Sequence, residues 1–506
     1  MASKIFSCFV DGMEARKIEV EVDILHGLPG LSIVGLGDTA VQEAKERIRS
    51  AIKNSGATYP QQKKIINLAP AHLRKNGACF DVPMAIGLLE ASGQIRVSPE
   101  TIFVGELALN GDIRPVKGAL SIAMFAQKHG KKLFLPRANA EEISILNPDN
   151  VHPVDTLLDI IEHCTSGRQV PAWMKKDVPT EETVAPLPEV DVCMIQGQVT
   201  AKQAIKIAAA GGHHLLMYGP PGTGKTLLAQ AMQGILPPLN TQEKLEVMQI
   251  YSVAGLLQGH EDKFHFPPLR KIHQTCTLPA LLGGGQSAQP GEISLAHHGI
   301  LFFDEIAEAP RRLLESLRQP LEERKITVNR LHHHVEYPAG FTLIAAMNPC
   351  PCGYYGSKEK PCICGNSAIV LYHKKISGPI MDRLGMFIRL QREPVKVTSE
   401  PEPVTSAMMY RDIKNARQRQ RERFQHPTML NADITVNNMR KYCILDPEAE
   451  KIIDEAAEKH KLSNRSLHNI LKVARTAADL NGHENITVDD ANEALVFRIQ
   501  PTSPLI

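Results

Sequence analysis

The segment GPPGTGKT at residues 219–226 constrains the fold of this chain more than any other feature. It lies between HHLLMY, which predicts a strand, and LLAQAM, which predicts a helix. A phosphate-binding P-loop requires this context, because glycines let backbone N–H groups turn toward phosphate oxygens and the helix start adds positive charge. The sequence therefore predicts an ATP site in an α/β domain with a parallel sheet. The predicted nucleotide-binding residues are Gly219, Pro220, Pro221, Gly222, Thr223, Gly224, Lys225 and Thr226.

A second apolar run, GILFFDEI at 299–306, ends in two acids. Asp304 is predicted to hold Mg²⁺ together with Thr226, while Lys225 contacts the β- and γ-phosphates. Glu305 is the candidate for polarising the attacking water. An ordinary buried strand with a solvated acidic end is the alternative, and the P-loop at this distance disfavours it.

A third predicted strand, FTLIAAMNP at 341–349, ends in Asn348. The amide at this strand tip can reach the γ-phosphate or the attacking water. The P-loop, the acid pair and the strand-tip amide, followed by a helical region, resemble an AAA+ ATPase. In that family Asn348 corresponds to the residue called sensor 1.

Two arginines extend this resemblance. The run SGPIMDRLGM at 377–386 resembles the AAA+ segment whose arginine enters the neighbouring subunit's active site, which implies that Arg383 is the arginine finger. The run at 462–480, LSNRSLHNILKVARTAADL, resembles the lid helix that carries sensor 2, which implies Arg465. The planar guanidinium suits both roles, because it stabilises charge spread over phosphate oxygens. A solvated surface residue is the alternative for each arginine.

Composition limits the class of protein. The 506 residues carry 57 Lys and Arg against 55 Asp and Glu, so binding to nucleic acid requires a local basic surface. Hydrophobic residues make up 43% of the chain and charged residues 22%, as is ordinary for a folded protein. We find no apolar run of the roughly 18 residues that a membrane span needs, and no secretory signal. We therefore expect a cytoplasmic multidomain protein with no membrane partner, and we exclude the membrane, secreted and disordered classes.

Hydrophobic periodicity divides the chain into four segments. Runs such as IEVEVDIL and KLFLP predict strands, which alternate with helices in residues 1–168. A stretch rich in proline and acid predicts a linker at 169–194. Strand–loop–helix alternation predicts a parallel α/β domain at 195–395, and helical periodicity predicts a lid domain at 396–506.

Two predicted insertions in the ATPase domain carry the candidate DNA contacts. Residues 252–296 precede the acidic strand, and KITVNRLHHHVEYP at 325–338 predicts a strand–turn–strand hairpin. Insertions at these places resemble the magnesium-chelatase and MCM side of the AAA+ superfamily, where they point into the pore of a ring. Solvated surface residues are the alternative. The candidate DNA-binding residues are Arg270, Lys271, Lys325, Arg330, His332 and His333.

A basic run near the C-terminus is less specific. The sequence MYRDIKNARQRQRERF at 409–424 predicts a helix with many cations. These cations could contact nucleic-acid phosphates. A solvated helix face is the alternative.

The N-terminal segment carries two further motifs. The runs RKNGACFDVPMAIGLL at 74–89 and GELALNGDIRPVKGAL at 105–120 resemble the proteolytic domain of Lon and the related domain of RadA. The resemblance implies an α+β, ribosomal S5 domain 2-like fold. Lon uses a Ser assisted by a Lys, and the approximate alignment places Cys79 and Leu120 at these positions. Since Cys79 then lacks a base, the resemblance implies a Lon-like domain without protease activity. An ordinary small buried residue is the alternative reading of Cys79.

A Lon-like domain followed by a chelatase-like AAA+ module and a helical lid resembles the ComM/YifB family of bacterial proteins over nearly the whole chain. The resemblance implies a homo-hexameric DNA helicase that promotes branch migration in homologous recombination and natural transformation. Its partners would be branched, single- or double-stranded DNA and recombination proteins. One alternative is a protein-remodelling or metal-chelatase-type ATPase, and another is a Lon-type protease.

Four of the ten cysteines fall into one short segment. Cys350, Cys352, Cys362 and Cys364 follow the pattern C-x-C-x9-C-x-C on a loop rich in glycine and proline. Four thiolates can close a tetrahedral Zn²⁺ site. A structural zinc and free buried thiols are the two alternatives.

Overall fold

The computed structural model describes residues 2–35, 37, 39–71, 75, 77–174, 189–259, 264–285, 288–330, 333–357, 360–392 and 403–498. They form a mixed sheet near the N-terminus, a parallel sheet in the centre and a cluster of helices near the C-terminus. The predicted fold class is confirmed. The predicted linker includes 175–188, which lie outside the described residues, and the domain limits remain a prediction. None of the helices in the described ranges is both long enough and apolar enough to cross a membrane.

Seven strands form the N-terminal sheet. In spatial order they are β3 (Gly30–Val34), β4 (Lys63–Ala69), β2 (Glu14–Leu25), β1 (Ser3–Asp11), β5 (Thr101–Phe103), β8 (Lys132–Pro136) and β9 (Val151–Val154). In β2 the alternating residues Ile18, Val20 and Val22 are buried, as expected for a strand with one covered face. The elements are β1 (Ser3–Asp11), β2 (Glu14–Leu25), β3 (Gly30–Val34), α1 (Thr39–Asn54), β4 (Lys63–Ala69), α2 (Asp81–Ala91), β5 (Thr101–Phe103), β6 (Glu106–Leu107), β7 (Ile113–Arg114), α3 (Ala119–Lys128), β8 (Lys132–Pro136), β9 (Val151–Val154) and α4 (Leu157–Thr165).

The central elements continue the numbering. They are α5 (Val199–Gly211), β10 (Leu215–Tyr218), α6 (Lys225–Ile235), α7 (Thr241–Ala254), β11 (Leu269–Ile272), α8 (Leu278–Leu282), β12 (Gly283–Gly284), β13 (Gln289–Pro290), α9 (Glu292–Leu295), β14 (Ile300–Phe303), α10 (Arg311–Ser316), α11 (Arg318–Glu323), β15 (Lys325–Arg330), β16 (His333–Pro338), β17 (Thr342–Met347), α12 (Asn366–His373), α13 (Gly378–Met381) and β18 (Met386–Arg389).

The central sheet is parallel, with the strand order β11-β14-β17-β10-β18. All residues of β10 and β14 are buried, which explains their uninterrupted apolar sequences, because a parallel sheet is covered on both faces. Strand β17 lies between β14 and β10. The carboxyl ends of these three strands therefore meet at one edge, where the chain continues into the P-loop, the acid pair and Asn348.

The predicted hairpin is confirmed, and the first insertion is shorter than predicted. Strands β15 and β16 pair antiparallel from Lys325–Pro338 to Arg330–His333. In the other region, Leu269–Ile272 forms β11, an edge strand of the central sheet that pairs with β14. Within the described part of 252–296, the short antiparallel pair β12–β13 remains as the candidate insertion hairpin. Arg270 and Lys271 therefore belong to the central sheet rather than to an insertion.

The N-terminal region and the central region share one hydrophobic core. Helices α3 and α7 pack together, and Leu120 of α3 is fully buried beside Ile250 of α7. The backbone N–H of Leu120 donates to Oγ of Ser252 at 3.3 Å, and that of Gly118 donates to the Ser252 carbonyl at 2.9 Å. The position that aligns with the Lon lysine is thus part of an interdomain contact, which accounts for an apolar residue there.

The C-terminal elements form a helical cluster. They are α14 (Ser406–Phe424), α15 (Met439–Tyr442), α16 (Pro447–His460), α17 (Asn464–Asn481) and α18 (Val488–Arg498). Three arginines of the basic helix α14 make hydrogen bonds within the protein, while Arg411 and Lys414 of the same helix are exposed. Arg417 donates to the Ala209 carbonyl at 2.6 Å, Arg419 donates to the Asp479 carbonyl, and Arg423 pairs with the Asp479 carboxylate.

The buried carboxylate of Asp479 organises this cluster. It accepts from Arg475 at 3.0 Å and from the Asn431 amide at 2.8 Å, in addition to its pair with Arg423. Arg475 and Asp479 are both almost fully buried. Because each buried charge has several hydrogen-bond partners, the network avoids the cost of an isolated ion.

We predict that Asp479→Ala lowers the free energy of unfolding of the helical region by about 3–5 kcal/mol, because two guanidinium groups lose their counter-ion. Asp454→Ala is the matched control, since Asp454 is exposed on α16, and its effect should stay within about 0.5 kcal/mol. Urea unfolding followed by helical circular dichroism measures both changes. Equal transitions for the two variants would contradict the assigned role of Asp479.

Candidate functional site

The P-loop connects β10 to α6 at the carboxyl edge of the central sheet. Gly222 and Gly224 have φ angles of 77° and 85°, in the left-handed region that glycine adopts without strain. Gly224 directly precedes α6, so the first backbone N–H groups of that helix point into the loop. This geometry suits an anion such as a phosphate group.

Lys225 and Asn348 lie together at this loop. The Lys225 ammonium donates to the carbonyls of Gly219 at 2.7 Å and Pro220 at 3.0 Å, and to Oδ1 of Asn348 at 3.3 Å. Burial lowers the pKa of Lys225 to about 8, against a smaller opposing effect of Asp304 and Glu305. The structure thus brings together the predicted phosphate-binding lysine and the predicted sensor amide.

The acid pair follows β14 directly. Glu305 has a φ of 50°, an unusual value for a residue with a side chain, and its N–H donates to Oδ1 of Asp304 at 3.0 Å. The side-chain amide of Gln274, beyond the end of β11, donates to Oε2 of Glu305 at 3.1 Å. Gln274 therefore restrains the carboxylate that we predict to polarise water. No sequence motif marks Gln274, because only the position of β11 beside β14 brings it to Glu305.

A cavity of about 400 Å³ is lined by Thr226, which is exposed, and by Lys225, Asp304, Glu305 and Asn348. Its donors include backbone N–H groups, the Lys225 ammonium and the Thr226 hydroxyl, and its acids are Asp304 and Glu305. This set fits a triphosphate with Mg²⁺, because phosphate oxygens need N–H and cationic donors, whereas Mg²⁺ takes oxygen ligands. Thr226 and Asp304 are the residues that would hold the metal.

Arg392 lies beside the P-loop, and no sequence motif marks it either. A Cβ built at Gly222 would lie 3.9 Å from a guanidinium nitrogen of Arg392. Arg392 follows β18, the strand next to β10, so its place depends on strand order rather than on any motif.

Arg383 and Arg465 lie elsewhere, at the amino edge of the same sheet. Both contact Glu322, Arg465 at 3.6 Å, and both line a second cavity of about 1060 Å³. His214 and Thr342, which precede or begin β10 and β17, line the same cavity. The four residues of β10 span about 13 Å at 3.3 Å per residue. The two arginines therefore cannot share this chain's own P-loop cavity, and none of the described P-loop residues lines theirs.

The predicted DNA-binding residues have different surroundings. Arg270 makes a two-pronged ion pair with Glu292 of α9 at 2.6 and 2.8 Å and is partly buried, so its charge is already neutralised within the protein. Lys271 is exposed on the same strand. Lys325, at the base of the β15–β16 hairpin, pairs with Glu336 at 3.0 Å. His332 and the side chains of Arg330 and His333 lie outside the described residues.

The four cysteines form a cluster directly after Asn348. Their sulfur atoms lie within 4.8 Å of one another. A second group, Glu246 with His297 and His298, is equally compact. However, Nδ1 of His297 accepts a hydrogen bond from the Gly340 N–H at 2.9 Å, and burial lowers the pKa of His297 to about 4. The neutral ring therefore carries its proton on Nε2, which faces Glu246, so this nitrogen is unsuited to bind a metal.

Comparison with known proteins adds the family. Family models described as magnesium chelatase, subunit ChlI, match residues 20–139 and 191–398, and a model of the ChlI C-terminal region matches 403–498. Competence protein ComM of Haemophilus influenzae is 38% identical over 498 residues, which cover 96% of this chain and 95% of that protein. The uncharacterized protein YifB of Escherichia coli is 38% identical over 491 residues with the same coverage.

The chain belongs to the ComM/YifB family. This family has magnesium-chelatase-like AAA+ ATPase domains, as the matched models indicate. Lon protease 2 of Bacillus subtilis is 27% identical over 202 residues, which cover 34% of this chain and 35% of that protein. The Lon likeness predicted from sequence is therefore seen over part of the chain.

We predict that ATP affinity falls above a pH of about 8, the pKa of Lys225. Phosphate binding favours the ammonium form, so the dissociation constant should be constant below this pKa and rise up to about tenfold per pH unit above it. Isothermal titration calorimetry with ATP and Mg²⁺ between pH 6.5 and 9.5, values chosen to bracket that pKa, measures the change.

Lys225→Arg provides the control, because a guanidinium stays protonated over this range. Its affinity for ATP should not depend on pH in the same window, whatever its absolute value. A parallel loss of affinity in both proteins would contradict the assignment to Lys225.

Proposed function

We propose that this protein forms a homo-hexameric ring that hydrolyses ATP between adjacent subunits and drives branch migration of DNA in homologous recombination and natural transformation. The observation that carries the proposal is the separation of the catalytic groups. Lys225, Glu305 and Asn348 lie at the carboxyl edge of the sheet, and Arg383 and Arg465 lie at its amino edge. A site that needs both sets requires a neighbouring subunit.

Each residue of the site has a defined task in this proposal. Lys225 and the α6 N-terminus bind the phosphates, and Asn348 orients the γ-phosphate and the attacking water. Glu305 accepts the proton of that water while Gln274 limits its orientation. Mg²⁺, held through Thr226 and Asp304, supplies positive charge to the phosphate oxygens. Arg383 and Arg465 of the neighbouring subunit stabilise the charge of the transferred group.

The hairpins support a DNA substrate. The β15–β16 and β12–β13 hairpins are the elements that the AAA+ resemblance places in the pore, and β15–β16 carries the candidate contacts Lys325 and Arg330. The relative from Haemophilus influenzae bears the name competence protein, which favours DNA uptake and recombination as the setting. Branched, single- and double-stranded DNA and recombination proteins are the proposed partners.

We predict that Glu305→Gln lowers the turnover number for ATP by about 10²- to 10⁴-fold, the usual effect of losing a general base, and leaves ATP binding intact. Glu308→Gln is the control, because Glu308 is an exposed acid on the same segment that pairs with Lys375. Phosphate release and ATP binding are measured on both variants. Unchanged turnover in Glu305→Gln would refute its role.

We predict that mixing Glu305→Gln with Arg383→Ala restores turnover that neither variant has alone. In a random equal mixture, about one quarter of the interfaces combine an intact Glu305 with an intact Arg383 from the neighbour. Turnover of the exchanged mixture should therefore approach this fraction of the wild-type value. A mixture no more active than the sum of its components would contradict a shared site.

DNA dependence separates this proposal from its alternative. The match to magnesium-chelatase models favours a protein-remodelling or chelatase-type ATPase as the second candidate. Turnover should rise with branched DNA and fall with added salt if phosphate contacts drive binding. Turnover that no DNA changes would favour the alternative.

A further inference from the structure

The loop between β17 and α12 contains two copies of the sequence P-C-x-C-G, at 349–353 and 361–365. In its described part, from Asn348 to Ser357 and from Lys360 to Gly365, the loop has neither helix nor strand. A loop of this length needs some other source of order. The two copies meet, because the sulfur atoms of Cys350 and Cys362 lie 3.6 Å apart.

The sulfur geometry fits a metal and not a disulfide. The distances are 3.3 Å between Cys350 and Cys352 and 3.5 Å between Cys352 and Cys362. A disulfide requires about 2.05 Å. Four sulfurs around Zn²⁺ at about 2.3 Å lie about 3.8 Å apart in a tetrahedron. The distances among Cys350, Cys352 and Cys362 are therefore slightly shorter than in a zinc tetrathiolate, and the Cys364 sulfur lies within 4.8 Å of the other three.

Backbone N–H groups are also aimed at the sulfurs. The Tyr355 N–H points to Cys350 at 3.3 Å, and the Cys364 N–H points to Cys362 at 3.4 Å. Such donors stabilise thiolate charge and orient metal ligands. The set contains only sulfur, and a tetrahedral all-sulfur site selects zinc or iron.

The same loop packs on the ATP site. A Cβ built at Gly353 would lie 3.0 Å from Cδ of Pro221 in the P-loop, so the backbone at Gly353 lies against the Pro221 ring. The Gly219 N–H donates to the Met347 carbonyl at 3.2 Å, just before Asn348. Arg389 of β18 donates to the Gly356 carbonyl at 3.0 Å. The loop is thus fixed between the P-loop and two strands of the central sheet.

We propose that Cys350, Cys352, Cys362 and Cys364 bind one Zn²⁺ ion per chain, and that this ion holds the 349–365 loop against the P-loop and thereby maintains ATP affinity. The second part rests on the proposed ATPase function, whereas the metal site does not. The metal would stabilise this loop in place of a hydrophobic core. It would thereby hold the chain that follows Asn348 against Pro221 of the P-loop.

The first experiment is elemental analysis of the purified full-length protein. One equivalent of zinc per chain, released by an organomercurial reagent that blocks thiols, supports the site. A zinc-free protein in which all ten cysteines react as free thiols overturns it. One equivalent of iron overturns the choice of zinc.

Variants then locate the metal. Cys352→Ser combined with Cys364→Ser should abolish zinc binding, whereas Cys193→Ser should retain it, because Cys193 lies outside the cluster. Cys364→His preserves a zinc ligand and should keep the metal, even if the serine variant fails to fold. Loss of zinc in Cys193→Ser, or full retention in the double variant, contradicts the assignment.

ATP affinity tests the link to the P-loop. The metal-free double variant should bind ATP at least about fivefold more weakly than the wild type, which is the lower end of the coupling between linked sites. The single variant Cys364→His, which keeps the metal, should bind ATP as the wild type does. Equal affinity with and without zinc overturns the link but not the site. If the zinc-loaded wild type binds no ATP, the proposed function fails, and the zinc content still decides the metal site.

Discussion

The polarity of the central parallel sheet is the constraint on which the rest of the structure depends. All its strands point the same way, so the loops that follow β10, β14 and β17 meet at one edge and supply Lys225, Asp304 and Asn348. The loops that precede the strands meet at the other edge, near Arg383. A buried parallel sheet cannot shift its register without exposing its apolar residues. The distance between the two sets is therefore fixed, and the proposed completion of the site by another subunit starts from this sheet geometry.

The shared core of α3 and α7 connects the N-terminal domain to this ATPase. Helix α7 follows α6, the helix that begins at Lys225, after five residues. It lies against α3 through Ile250 and Ser252, and Gln249 donates to the Met13 carbonyl at 2.7 Å. A second contact lies at the β15–β16 hairpin, where Val335 packs against Gly12 so closely that no side chain fits there. A movement of either element would be transmitted to the Lon-like domain, because packed cores change position as units.

Sequence patterns predicted those site residues whose position follows from local structure. Asp304, Glu305 and Asn348 each stand directly after an apolar run, and strand polarity alone brings them to the P-loop. Gln274 and Arg392 could not be found in this way, because each reaches the site through the order of neighbouring strands. Strand β11 was not predicted for a similar reason. Its sequence, Leu269–Ile272, has two adjacent cations between two apolar residues, and Glu292 from a separate helix neutralises Arg270.

Glu322 holds Arg383 and Arg465 in place at the amino edge of the central sheet. Arg383 and Arg465 are held by one carboxylate that is itself half-exposed. The hydrogen bond from Arg383 and the charges of both arginines lower the pKa of Glu322. The pair with Arg465 is exposed and contributes only about 0–1 kcal/mol, so its rupture costs little, whereas the Arg383 side chain is nearly buried and also donates to the Pro379 carbonyl. A triphosphate offers several negative oxygens in place of one carboxylate, and guanidinium groups bind such oxygens in pairs. Glu322 thus orients both arginines, and under the proposed function a neighbouring subunit's nucleotide would take the place of this carboxylate.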